Sequence, residues 1–181
     1  MTEWWTYRLS DFLMFAPRTY HRLFELVNDA LWPLPLVTPV LALALVVALA
    51  RRAARATGAA CVALALAWLG VGVGFHAQHF AAINTAAPFF AAVFVIEGVC
   101  WALLPAAARG SGWRWRADPA RWLGIGYGCA ALALHPLVGA LLGRPWSQAQ
   151  WVGLAPDPTV LLTLAVLLSS RPRAAARPCA G

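Results

Sequence analysis

Read for polarity alone, the chain alternates between long apolar runs and short clusters of arginine. Five runs stand out: Leu31 to Ala50, Ala59 to about Phe80, Thr85 to Leu104, Trp122 to Leu142, and a last one ending near Ser170. Uncharged apolar runs of about 18 or more residues read as membrane-spanning helices, because at about 1.5 Å per residue roughly 20 of them cross a hydrocarbon core about 30 Å thick. The first four runs meet that length. In the fifth, Asp157 followed by Pro158 has the pattern of an N-cap with proline at the first helical position, which confines the helix to Pro158 to Ser170, a reach of only about 20 Å. The preceding WVGLAP then becomes non-helical backbone at membrane depth, tolerated only where other protein or a wet cavity covers it.

The first thirty residues are of another kind. In EWWTYRLSDFLMFAPRTYHRLFELVNDALW, aromatics mix with Arg, Asp and Glu, and Pro17 divides the stretch into two short helical pieces. Ser10 or Asp11 is placed to cap the first piece, while Tyr20, Leu23, Phe24 and Val27 give the second an apolar face at helical spacing. The stretch is too polar to span. Amphipathic helices rich in Trp, Tyr and Arg lie in the headgroup plane, and a lid folded over the outer ends of the spans is the alternative. The opening MTEWWTYRL, with Glu3 and no basic region before an apolar core, does not read as a cleavable signal peptide. The expected fold class is all-α: an integral membrane bundle of about five transmembrane helices over 31–170, preceded by an amphipathic interfacial segment over 1–30 and followed by an Arg-rich cytoplasmic tail over 171–181.

Composition sharpens this picture. Of the 181 residues, 61% are hydrophobic and 12% charged, and the mean hydropathy of +0.67 does not describe a water-facing surface. The net charge of +7 raises the question of nucleic acid, and position answers it. There is no Lys, and ten of the 14 Arg lie in three clusters, Arg51, Arg52 and Arg55, then Arg109, Arg114, Arg116 and Arg121, then Arg171, Arg173 and Arg177. Each cluster abuts an apolar run, as topology-setting charges do, and no basic stripe interleaved with exposed aromatics accompanies them, so no nucleic-acid partner is expected. The three clusters fall on one side if the connections after spans one and three and the tail are cytoplasmic. That parity puts the amino terminus outside and the carboxyl terminus inside.

Three blocks carry a resemblance. The opening EWWTYRLSDFLMFAPRTYHRLFELVNDALWPL, the middle FHAQHFAAINTAAPFFAA and the later GRPWSQAQWVGLAPDPTVLLTLAVLL are similar to an uncharacterised family of small bacterial multi-pass membrane proteins, some of whose members are labelled permeases by automatic naming. The resemblance covers nearly the whole chain. It implies a helical inner-membrane fold and transfers no activity. It also implies a further hydrophobic segment after the fifth span, where this chain has RPRAAARPCAG.

Candidate chemistry gathers on the outer side. His76 and His79, three residues apart on one helical face, sit at the outer end of span two, and His135 lies about 10 Å below the outer end of span four. With Asp157 at similar depth, His76, His79, His135 and Asp157 are expected to approach one another around a polar pocket; His21, in the outer segment, is assigned to the same side of the membrane. Neutral imidazoles with a carboxylate nearby suit a divalent metal or, as a pair, haem iron. Against this stand the absence of HExxH, CxxC or a carboxylate-rich helix pair, and structural roles open to each histidine: an interfacial anchor, a bond to a carbonyl freed by Pro136, or a bond to the loop at Asn84.

Glu97 lies near the middle of span three, where an ionisable side chain is costly and faces the bundle interior or water, with Tyr127 or a backbone carbonyl as its expected partner. Gly70 with Gly74 and Gly124 with Gly128 have the spacing that lets helices approach closely; GIGYG, inside a span, is packing rather than a nucleotide loop. The scattered cysteines form no disulfide framework, and no catalytic triad or paired carboxylate points to an enzyme. Two function classes remain. One is permease-like handling of a small solute or ion, with Glu97, Asn84, Tyr127 and Asp157 along the pathway, expected to act as a homo-oligomer in the lipid bilayer. The other is a structural or accessory subunit of a larger membrane complex. A metal-binding or haem-binding protein using His76, His79 and His135 is a variant of either.

Overall fold

The computed structural model describes residues 15–53, 55–107 and 113–172. The first amphipathic piece with Ser10 and Asp11, residues 108–112 and the tail from 173 lie outside the described residues. Among the described residues the regular elements are helices, apart from one short ribbon. Helix α1 (Pro17–Ala30) is followed by α2 (Leu34–Ala50), α3 (Ala56–Gly70), a π-helical continuation (Val71–Ala77), a 3₁₀ turn (Phe80–Ala82) and α4 (Ala87–Ala107). Strand β1 (Trp113–Trp115), α5 (Ala120–Leu141), a 3₁₀ turn (Trp146–Gln148), α6 (Pro156–Ser169) and strand β2 (Ser170–Pro172) complete it.

Five apolar helices stand where the five runs predict them. Among the described residues three stretches are long and apolar enough to cross a membrane, Ala56–Ala82, Ala87–Pro105 and Ala120–Leu141, and α1 with α2 makes a fourth if that bent pair is one span. The 17 residues of α2 and the 14 of α6 fall short of that length. Helix α1 meets α2 at 92°, so the two bend sharply where Trp32 and Pro33 join them.

Glycines decide which helices pair. A side chain at Gly124 would stand 2.8 Å from Ser169 Oγ and 2.9 Å from the Ala165 carbonyl, and one at Gly128 would stand 2.8 Å from Val46, so α5 lies flush on α6 and against α2. Gly126, two residues from either, has nothing within 4 Å. Gly98 does for α4 against α3 what Gly124 does for α5, meeting Leu69 at 2.8 Å. Trp68 of α3 donates its indole N–H to Thr163 of α6 at 3.0 Å, a buried bond between helices. The main core fills the space between α2, α3, α5 and α6, around Leu45, Leu49, Leu64, Leu162 and Val166. Helix α4 packs against α3, the π segment and the Phe80–Ala82 turn, leaving it at the edge of the bundle.

The two ends differ in chemistry. At one end β1 pairs antiparallel with β2, and the Arg121 guanidinium, 7% exposed, donates to the carbonyl of Ala50 at the end of α2. A cation there answers the unpaired carbonyls and partial negative charge of a helix C-terminus. Connections bearing all three Arg clusters therefore share this end. At the other end α1 rests on the bundle through Leu23, Phe24 and Val27, which meet Val71, Phe75, Leu154 and Ala155.

Candidate functional site

The segment before α6 shapes the site. Residues 152–155 are buried, and their backbone is satisfied locally: Gly153 N–H donates to Thr159 Oγ1 at 2.8 Å, and Leu154 and Ala155 N–H donate to the Trp151 carbonyl. Thr159 in turn donates to the Ala155 carbonyl at 2.8 Å. This is how irregular backbone survives away from water: protein covers it and its polar groups are spent internally. Gly153 has φ +80°, a conformation suited to glycine, and its carbonyl would lie 2.9 Å from a side chain at Gly70. The turn is wedged between α2 and α3.

The wedge holds α2 and α3 apart and leaves a cleft of about 480 Å³ between them, floored by Val152, Gly153 and Leu162. Its walls run from Leu34 to Leu45 on α2, about 16 Å of helix. They are leucine, valine, alanine and glycine almost throughout; Thr38 and Gln78 supply the polar exceptions. The lips are exposed, Leu41 at 61% and Leu66 at 66%, while Ala42 and Leu45 behind them are buried. Leu36, Val40, Leu43 and Val62 continue the lips as exposed apolar surface. The opening is thus lateral, through the surface that hydrocarbon would cover. Thr38 Oγ1 is buried without a partner, whereas Thr159, Thr163 and Ser170 each bond the carbonyl four residues earlier.

The histidines do not form the expected group. Among the described residues, no three His, Cys, Asp or Glu side chains stand close enough to hold a metal ion, so the expectation that His76, His79 and His135 meet around one metal is corrected. The π-helical turn is the reason. Its bonds run to the fifth residue rather than the fourth, and the helix ends at Ala77, so His76 and His79 lose the shared face that a continuous α-helix gives them. His76 turns into a cage of rings, with Phe94 at 4.5 Å, Phe75 at 5.1 Å and Phe80 at 5.7 Å between centroids. His79 turns back to the Gly74 carbonyl, 2.6 Å from its Nδ1. His135 pairs with Gln150, its Nδ1 3.1 Å from Oε1.

The acidic and polar candidates are likewise apart. Glu97 finds neither Tyr127 nor a carbonyl: its Oε1 accepts the indole N–H of Trp101, one turn on, at 2.9 Å. Tyr127 is on α5, packed against the main core, whereas α4 packs on α3. Asn84 is buried, and its Oδ1 accepts from Ala86 N–H at 2.9 Å, fixing the turn that starts α4. Asp157 is not the N-cap, which is Ala155, but an exposed residue in the first turn of α6. It faces Tyr20, whose phenol is pushed above its ordinary value by burial first and by the Asp157 charge second. Nearby, Arg144 Nη1 lies 2.8 Å from His21 Nδ1, and burial, then the Arg144 charge, holds that imidazole below its ordinary value. The pairing of His135 with Gln150 and the whole cleft escape a reading of spacing, because each joins residues through tertiary contact, whereas Glu97 and Trp101 stand four residues apart on one helix, a spacing open to such a reading; for the cleft only the WVGLAP interruption marked the place.

Fold and site together define a class: an all-helical protein with apolar helices of membrane length and an apolar cleft opening sideways between two of them. Within it, the chain belongs to the Family of unknown function (DUF6064), which matches residues 18–177. No curated protein and no solved structure matches it. The resemblance to an uncharacterised family is borne out.

Proposed function

We propose that this chain is a lipid-binding protein of a bacterial inner membrane, which draws one hydrocarbon chain of a membrane lipid into the cleft between α2 and α3. The observation that carries the reading is the cleft itself. Its volume of about 480 Å³ is in the range of small-molecule sites, its walls are apolar, and its mouth opens through exposed Leu41 and Leu66. A site open to hydrocarbon and lined by aliphatic side chains selects what a bilayer holds in abundance. A permease-like pathway for an ion or small solute draws less support, since Asn84 fixes the turn before α4, Tyr127 packs against the core and Glu97 is bonded to Trp101.

The test is photolabelling in vesicles with a phospholipid bearing a photoreactive group on one acyl chain. Label is expected on the segments around Val37 and Leu66. Ala63→Phe, which fills the cleft from α3, should lower that labelling several-fold, and Val62→Phe, one residue away on the exposed face, should leave it unchanged. Equal labelling of both variants, or label spread evenly over every exposed helix face, would remove the cleft from consideration.

A further inference from the structure

Glu97 is the central residue of α4, with ten residues before it and ten after it in Ala87–Ala107. It is half-buried on the edge helix of the bundle, at the rim of the face that packs on α3. One carboxyl oxygen accepts from Trp101. The side chain is nonetheless partly open on the outward side, where Val93, four residues before it, and Cys100, three after it, are exposed. A carboxyl opening onto hydrocarbon at mid-helix is unfavourable, and polar groups so placed drive helices together.

We infer that two copies of this chain pair through their α4 helices, with Glu97 facing Glu97 across a two-fold axis along the membrane normal. Three observations select a second copy. In one membrane all copies share one orientation, so such an axis brings each residue to its own equivalent at the same depth. A carboxyl set against its own equivalent has a polar partner at the same depth, a complementarity that a wholly apolar partner helix lacks. The strip around Glu97 is apolar along its length, so the same surface serves both partners without an unpaired charge. This pairing is independent of the cleft, which lies on the other side of α3.

The experiment uses the full chain in vesicles, with Cys61, Cys129 and Cys179 replaced by Ala so that Cys100 is the sole thiol. Oxidation should yield a covalent dimer through Cys100, and single-molecule photobleaching should count two copies. Glu97→Gln, which keeps a donor and an acceptor, should retain dimer; Glu97→Leu should lose most of it. Val93→Trp leaves the Glu97–Trp101 bond in place and should also separate the pair by bulk, which covers the case that Glu97→Leu fails to fold. A monomer count for the parent chain overturns the pairing. So does dimer undiminished in Val93→Trp, or cross-linking through a Cys129-only chain in place of Cys100.

Discussion

His76 brings two ring nitrogens into a cage of phenyl rings and finds a hydrogen-bond partner for neither. Leaving a buried polar group unsatisfied costs about 1–3 kcal/mol, whereas an apolar group of similar shape carries no such penalty. His76→Phe is therefore expected to raise the unfolding temperature in detergent by the equivalent of about 1 kcal/mol, and His76→Ala to lower it by leaving a void among Phe75, Phe80 and Phe94. A loss with Phe as large as that with Ala would mean that the imidazole serves a bonded partner. The residue-level reading of this position was half right: the sequence marks His76 as the polar end of an apolar helix, but its direction depends on a π-helical turn that no spacing rule anticipates.

At the scale of elements, α1 shows how a legible pattern leaves its destination open. Leu23, Phe24 and Val27 form the predicted apolar face and are indeed buried, but against the bundle. Three polar links then fix α1 to the loop before α6: Asn28 donates to the carbonyls of Ser147 and Ala149, Gln148 donates to Glu25, and Arg144 pairs with His21. His21 makes this docking pH-sensitive. Its folded value is lowered, so the neutral ring contributes fully above the unfolded value near 6.5, and that contribution is lost as pH falls through 6.5 toward the lower folded value. Protonation would also set the ring against Arg144. Amide exchange over Pro17–Ala30 is expected to quicken between about pH 7.5 and about pH 5.5, and His21→Gln should flatten that response. Glu25 and Asp157 also face this region, so an unchanged slope in His21→Gln would assign the response to them.

The whole molecule has one end that collects arginine and another that collects α1 and the loops. Because the β1–β2 ribbon and the Arg121–Ala50 bond bring the Arg-bearing connections together, the positive-inside bias acts on a single face. A reporter active only outside the cytoplasm should work when fused at the amino terminus or near Gln148, and fail near Arg52 or after Arg173. The reverse pattern would invert the molecule and place α1 and the four histidines on the cytoplasmic side. Neither outcome touches the cleft, whose mouth opens along the bilayer.

The sequence by itself determined the places of the apolar helices, the break before α6 and the close-packing role of Gly124 and Gly128. Each follows from local quantities: run length against bilayer thickness, the N-terminal preference of proline, and the absence of a side chain. Which helix stands beside which was decided only by the tertiary structure. Glu97 is kept from Tyr127 because α4 packs on α3, leaving it the local bond to Trp101 four residues along its own helix, and the histidines parted because a π-helical turn rotated one of them toward α4. The cleft belongs wholly to this second kind. It exists because a turn near Gly153, far along the chain from both walls, is held between α2 and α3, and no pattern within either helix records that arrival.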